Sequence, residues 1–222
     1  MRFRDRVDAG RQLGARLRDA HLDDPVVVGL PRGGVIVAAE VAAALAAPLD
    51  IVVARKLGVP WQPELAFGAV APGVVVLQRD VLAAIGLEPA EIDVAVARET
   101  ARLGPLAERY RGDAPPTPLA DRTVIVVDDG LATGATATAA ARSVRLAAPR
   151  SVVVAVPVAA AQTAATLRGE VDAVICLLEP RDFHAVGSYY DDFAAVSDEA
   201  VRERLAAGRA GRVRGPPPLR GC

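Results

Sequence analysis

The sequence predicts an α/β fold with a doubly wound, mostly parallel sheet, and three observations carry that expectation. Short β-branched runs at 26–30, 124–127 and 151–156 alternate with alanine-rich segments of helical spacing. These apolar runs are continuous, not alternating, as strands buried on both faces require. Two of them end in glycine-rich turns that lead directly into a helix, the arrangement that places ligands at the carboxyl edge of such sheets.

The elements follow in order. Residues 8–20 form an amphipathic helix, with Leu13, Leu17 and Ala20 at helical spacing. Strand 26–30 is broken by Pro31-Arg32-Gly33-Gly34, and 35–47 resumes as an apolar helix. A second strand, 50–54, ends at Arg55 and Lys56, two cations at its carboxyl end. Segment 57–73 is rich in proline and glycine and holds the one tryptophan, Trp61; a mobile loop and a structured β-extension both fit it. A short strand covers 74–77. Residues 88–111 are charged and helical, with apolar positions at Ile92, Val96, Leu103 and Leu106. Strand 124–127 precedes a helix at 135–147. Strands 151–156 and 173–178 flank a helix at 159–167. Asp198 suits the N-cap of a last helix reaching 207. Residues 208–222 are rich in Arg, Gly and Pro and are expected to be a disordered tail.

The run 124–136, VIVVDDGLATGAT, is the most informative stretch. A buried strand ends at two adjacent carboxylates, Asp128 and Asp129. A loop of small residues follows, Gly130, Leu131, Ala132, Thr133 and Gly134, and a helix opens at Ala135 and Thr136. Glycines let backbone N–H groups approach a phosphate, threonine hydroxyls add donors, and the helix N-terminus supplies positive potential. The aspartates would repel that phosphate, so they should face something hydroxylated or electropositive. A ribose diol with a magnesium ion nearby fits both. A P-loop would need a Gly-Lys-Ser/Thr ending, and a dinucleotide fingerprint would need G-x-G-x-x-G; neither is present.

This run resembles the phosphoribosyl-diphosphate (PRPP) signature of type I phosphoribosyltransferases: a hydrophobic strand, two acidic residues, and a loop ending T-G-x-T. The resemblance implies a magnesium-dependent transfer of 5-phosphoribosyl from PRPP to a nitrogen acceptor, a nucleobase by expectation, with release of pyrophosphate. Asp128 and Asp129 would hold the ribose hydroxyls, and residues 130–136 the 5-phosphate. Pro31, Arg32, Gly33 and Gly34 would grip pyrophosphate, with Arg55 and Lys56 stabilising charge on the leaving oxygens. Enzymes of this kind often carry a non-proline cis peptide in the pyrophosphate loop, which by position is Pro31–Arg32. The loop at 58–73 takes the place of the mobile catalytic loop, with Glu64 its one carboxylate. Residues 179–193 take the place of the small hood, where Phe183, Tyr189 and Tyr190 offer flat faces to a base and His184 could serve as acid or base. Where hypoxanthine–guanine enzymes place an Asp before the loop's Thr-Gly, this chain has Ala132, a form closer to the adenine-type loop.

The expected organisation is one domain over 1–207, with its core at 24–178, a helical insertion at 80–118 and the hood at 179–193. The insertion is longer than a simple member of that family needs; a solvated cap on the sheet and a homodimer contact are both open. A net charge of −1 gives no global field toward nucleic acid or membrane. The two cysteines, Cys176 and Cys222, give no disulfide framework. The charged N-terminus has no signal-peptide core, so a cytoplasmic protein is expected. The alternative function is a non-catalytic PRPP-sensing regulator, for which the tail arginines Arg209, Arg212, Arg214 and Arg220 speak slightly.

Overall fold

The computed structural model describes residues 2–213, and the side chains of all of these except 63, 64 and 210–213. A five-stranded parallel sheet forms from β1 (Pro25–Gly29), β2 (Leu49–Ile51), β6 (Thr123–Val127), β7 (Ser151–Val158) and β8 (Ala173–Leu178), in the order β2-β1-β6-β7-β8. The β-branched runs make its centre, and β6 is buried along its whole length.

Side chains leave the two faces alternately. Val27, Ile125, Val127 and Val153 pack with helices α1 (Arg6–Arg18), α2 (Gly33–Leu45) and α8 (Asp198–Val213). Val26, Val124, Val126, Val152 and Val154 pack on the opposite face with α6 (Ala135–Arg145) and α7 (Ala161–Leu167). The pairing Val27↔Ile125↔Val153 keeps each set in register across three strands. The doubly wound expectation is met.

Helix α1 reaches α2 through glycines. A Cβ added at Gly10 would lie 2.8 Å from both Glu40 Cβ and Val37 O, and one at Gly14 would lie 2.7 Å from Ala44 Cβ. Asp5 caps α1, its carboxylate accepting the Asp8 N–H at 2.7 Å.

Segment 55–77 corrects the expectation in part. Arg55 and Lys56 do not trail strand β2; they open β3 (Arg55–Val59), which forms an antiparallel sheet with β4 (Gln62–Ala71) and β5 (Val74–Leu77). The β-extension is therefore the form adopted. Register shifts near Gly58 interrupt the β3–β4 ladder. Ala69 and Ala71 of β4 pack on Ala135 and Ala139 of α6, tying this small sheet to the helix that follows the acidic pair.

The insertion consists of α3 (Arg79–Ile85), α4 (Pro89–Ala101) and α5 (Leu103–Arg111). Its expected apolar positions, Ile92, Val96, Leu103 and Leu106, all join the core. Asp50, buried in β2, anchors its far end by accepting from Arg111 Nε at 3.0 Å and the Thr117 N–H at 2.6 Å.

Two boundaries at the carboxyl end differ from expectation. Ser197, not Asp198, caps α8, its hydroxyl accepting the Ala200 N–H at 3.1 Å; Asp198 is the first helical residue and holds ion pairs instead. The helix also continues to Val213, so residues 208–213 are helical where composition suggested disorder. Anchoring explains this: Gly208 lies on Leu49, and Arg209 Nη1 donates to Arg111 O at 2.9 Å. The rest of the tail expectation, 214–222 with Arg214, Arg220 and Cys222, and the side chain of Arg212 lie outside the described residues.

The glycine contact between α1 and α2 predicts opposite outcomes for two glycine substitutions. Gly10→Val should lower the melting temperature, because overpacking costs about 1–3 kcal/mol and each kcal/mol is about 2–4 °C in a chain of this size. Gly104→Ala, on α5 with nothing within 4 Å of an added Cβ, should raise it slightly, since alanine is up to about 1 kcal/mol better in a helix. Calorimetric melting of the two variants checks the contrast.

Candidate active site

The sheet order reverses between β1 and β6. Chain connections leave β1 toward β2 on one side and β6 toward β7 and β8 on the other, which opens a crevice at the carboxyl ends of these two strands. The turn Pro31–Gly34 follows β1 and the run 128–134 follows β6, so the two glycine-rich loops sit side by side. They touch. A Cβ at Gly33 would fall 1.9 Å from Asp129 Oδ2, and one at Gly34 would fall 2.8 Å from Asp128 Cα. Glycine is thus required at both positions by the acidic pair itself, a steric demand that spacing alone does not reveal.

Asp128 and Asp129 end a buried strand, and both pay for desolvation. Burial and then the neighbouring Asp129 charge push the Asp128 carboxyl well above the usual range, against the Asp129 N–H that its Oδ1 accepts at 2.8 Å. Burial also raises Asp129, opposed first by its bond from Arg6. That arginine is the residue sequence reasoning missed. Arg6 Nε donates to Asp129 Oδ2 at 2.7 Å, Nη1 donates to Ala194 O at 2.9 Å, and the guanidinium lies 3.8 Å from the centre of the Phe193 ring. In sequence it is one charge in the run MRFRDR. No local signal joins it to a carboxylate so far along the chain.

The N-terminal strap and the hood hold this corner together. Phe3 pairs with Tyr190: its N–H donates to Tyr189 O at 2.8 Å, and its carbonyl accepts from the Asp191 N–H at 2.8 Å. Tyr190 is 2% exposed, its ring between Phe3 and Phe193, and its hydroxyl donates to Asp129 O at 2.6 Å. Burial pushes that hydroxyl far above the ordinary tyrosine range. Tyr190 is therefore a correction to the expected base-stacking set: it has no free face and instead fixes the acidic loop. Phe183 and Tyr189 remain half-buried, stacked on each other at 5.7 Å and 17°. His184 is exposed.

The loop after the pair is braced from behind. Leu131 bridges to Ala159 beside β7, and Thr163 of α7 donates its hydroxyl to Ala132 O at 2.6 Å. Gly134 takes φ +76° and opens α6, whose N-terminus has no side-chain cap. Ala132 and Thr133 are exposed, Thr136 is half-buried, and Ala135 is buried. Gly130, unexplained by the sequence, is explained by the hood: a Cβ there would meet Val186 Cγ1 at 2.5 Å.

On the β1 side the Pro31–Arg32 bond is cis, as expected. α2 begins at Gly33 without a side-chain cap or an acidic residue in its first turn. Arg32 reaches Asp198 at 3.8 Å. Arg55 does not extend into the loop; its Nε donates to Glu99 Oε2 of α4 at 2.6 Å, although its side chain lines the cavity shared with Pro31 and Arg32. Lys56 is exposed on β3. The Glu64 side chain lies outside the described residues.

Asp128 and Asp129 are two hard oxygen donors at the mouth of the crevice. Magnesium takes one or two carboxylates and fills its shell from water and substrate phosphates, so the pair fits an ion carried mainly by a bound diphosphate. Among the described residues, no group of three or more His, Cys, Asp or Glu side chains gathers as a metal site. Burial lifts the Cys176 thiol to about 11, so it is not a nucleophile near neutral pH. No helix among the described residues is long and apolar enough to cross a membrane.

Comparison with known proteins gives the family. The phosphoribosyl transferase domain family matches residues 5–194, and the chain belongs to it. Two Mycobacterium tuberculosis proteins provisionally named phosphoribosyl transferases, Rv0571c and MT0597, are each 48% identical over 200 residues, covering 90% of this chain and 45% of theirs. The chain thus spans about half the length of the curated relatives it matches. The crystal structure of TT1426 from Thermus thermophilus is 45% identical with a TM-score of 0.78, covering 93% of this chain and 99% of that one.

The raised Asp128 carboxyl has a measurable consequence. A carboxyl whose folded-state pKa is raised binds more protons folded than unfolded, so its cost to stability is absent below the unfolded value and complete above the folded one. Asp128→Asn keeps the acceptor for the Asp129 N–H and removes the charge. The ligand-free variant should melt higher than the parent at pH 7.5, and that gain should shrink as pH falls toward 4. Melting curves across that range test it.

Proposed function

We propose that the chain is a magnesium-dependent phosphoribosyltransferase acting on PRPP. The observation that carries this reading is the direct contact of the two glycine-rich loops across the acidic pair at the switch point. One substrate could span both: a 5-phosphate on residues 130–136, a ribose over Asp128 and Asp129, and a diphosphate on Pro31–Gly34.

In this reading the uncapped N-terminus of α6, the backbone of 130–136 and the Thr133 and Thr136 hydroxyls bind the 5-phosphate. Asp128 and Asp129 accept hydrogen bonds from the ribose hydroxyls. Arg6 opposes the effect of burial on Asp129 and holds it in place, and Tyr190 fixes the carbonyl between that residue and the loop. Arg32 and the N–H groups of Gly33 and Gly34 receive the diphosphate, with Lys56 and Arg55 adding positive potential. Asp128 and Asp129, through water, would help hold a magnesium ion carried by the diphosphate, and that ion would supply charge neutralisation on the leaving group. The acceptor nitrogen forms a bond to ribose C1 as the C1–O bond breaks, and pyrophosphate departs with the electron pair. Positive charge developing on the ribose is greatest in the transition state, so fixed carboxylates below it act there most strongly. The half-buried Phe183–Tyr189 stack is the acceptor-side surface, and the acceptor is a nucleobase.

A panel of nucleobases with PRPP and magnesium, read by pyrophosphate release, tests this reading. Release with one or more bases supports it. PRPP binding without release from any of them would give the non-catalytic sensor instead.

Two further outcomes are expected. Asp128→Asn combined with Asp129→Asn should weaken PRPP binding at least tenfold per residue, since each charged hydrogen bond is worth about 1.5–3 kcal/mol; calorimetric titration measures it. Tyr189→Leu should raise the acceptor KM, because stacking on one ring contributes roughly 1–3 kcal/mol, and should leave PRPP affinity unchanged. If both constants worsen together, the ring serves packing alone.

A further inference from the structure

The insertion builds a second charged surface beside the β1 loop. Two cavities of about 310 and 430 Å³ meet at Arg55 and Leu106. The first is walled by Pro31, Arg32, Tyr110 and Asp198, the second by Arg102, Pro105 and Arg109. Together they form a cleft that runs from the pyrophosphate loop out along α5.

Its charges are layered. Glu99 lies at the base with its side chain 6% exposed, paired with Arg55 at 2.6 Å and Arg102 at 2.9 Å. Asp198, 23% exposed, is paired with Arg109 at 2.8 Å and lies 3.8 Å from Arg32. The four guanidiniums above them are 35–59% exposed. Four positive charges over two negative ones leave a surplus of two, and Arg98 adds another from behind Glu99 at 3.0 Å. Glu99 and Asp198 thus engage one side of Arg55, Arg102 and Arg109, and a guanidinium carries five N–H donors, more than these contacts use. Several arginine pairs elsewhere are one to one, as in Arg142–Glu170 and Arg145–Asp172, while Glu40 takes both Arg11 and Arg204. Against a chain net charge of −1, what marks this cleft is four arginines gathered along one continuous hollow.

Arginine forks match phosphate oxygens, and a row of them matches a phosphate chain better than a single anion. We propose that this cleft binds a phosphate chain, either free polyphosphate or the phosphate tail of a nucleotide, at a site separate from the one that takes PRPP. Arg102 and Arg109 belong to this site alone; Arg32 and Arg55 stand between the two.

The test is calorimetric titration of tripolyphosphate and, separately, of PRPP with magnesium. The variant is Arg102→Gln with Arg109→Gln, which keeps the side-chain stems and an amide donor for Glu99 and Asp198. Tripolyphosphate affinity should fall at least tenfold and PRPP affinity less than threefold. The parent's tripolyphosphate affinity should also weaken as ionic strength rises. Unchanged tripolyphosphate affinity overturns the proposal, and so does an equal loss for both ligands, which would merge the cleft with the pyrophosphate site. Should the double variant fail to fold, Arg102→Gln alone should still cost at least threefold for tripolyphosphate, and no loss overturns the idea. The Asp128→Asn, Asp129→Asn protein should keep tripolyphosphate binding, so failure here is distinguishable from failure of the PRPP reading. A nucleoside triphosphate binding tenfold tighter than tripolyphosphate supports a nucleotide tail; equal affinity supports a bare chain.

Discussion

Two adjacent carboxylates at the end of a fully buried strand impose the constraint to which the surrounding structure answers. Water cannot solvate them freely, and they repel each other. The fold meets this with one cation, Arg6, and with backbone. Gly33 and Gly34 leave room for the carboxylates, and Tyr190 ties down the Asp129 carbonyl. The Phe193 ring beneath Arg6 and the Ala194 carbonyl beside it hold that cation in one orientation. The strap, the hood and the loop after β1 are distant in sequence, yet all three converge on the same pair.

The sheet order sets what lies to either side. Toward β7 and β8 the crevice meets the hood, with its aromatic rings. Toward β2 it meets the insertion, whose arginines stand over Glu99 and Asp198. Asp50 on β2 fixes the insertion by accepting from Arg111 and Thr117. The aromatic rings and the insertion's arginines therefore stand on opposite sides of the crevice.

The central sheet was legible because buried parallel strands leave continuous apolar runs, and 26–30, 124–127 and 151–156 are such runs. The acidic pair and its loop were legible because their chemistry is local. The small sheet at 55–77 was only half legible. Gly58, Pro60, Pro63 and Gly68 look like loop residues, and only pairing along β4 with the shifts near Gly58 shows how strands accommodate them. Arg6 and Tyr190 could not be read, since their partners lie far off along the chain and nothing in MRFRDR or SYYDDF marks them. Nor could the orientation of Arg55: a cation after a strand is free to face either edge, and the buried Glu99 on another element decides it. Residues 208–213 were misread because composition reports propensity, whereas packing on Leu49 and Arg111 decides the helix.

The long reach of Arg6 sets an order of events during synthesis. Its carboxylate partner lies 123 residues later, and the carbonyl that steadies it lies 188 residues later. At about 5–20 residues per second, Arg6 waits on the order of ten to forty seconds for Ala194 to be made. Strand β6 and Asp129 emerge from the ribosome well before that, while the strap is still untied. The acidic corner is thus completed only after the sheet around it exists, and a nascent chain released before the hood is made carries its two carboxylates without the clasp that steadies them.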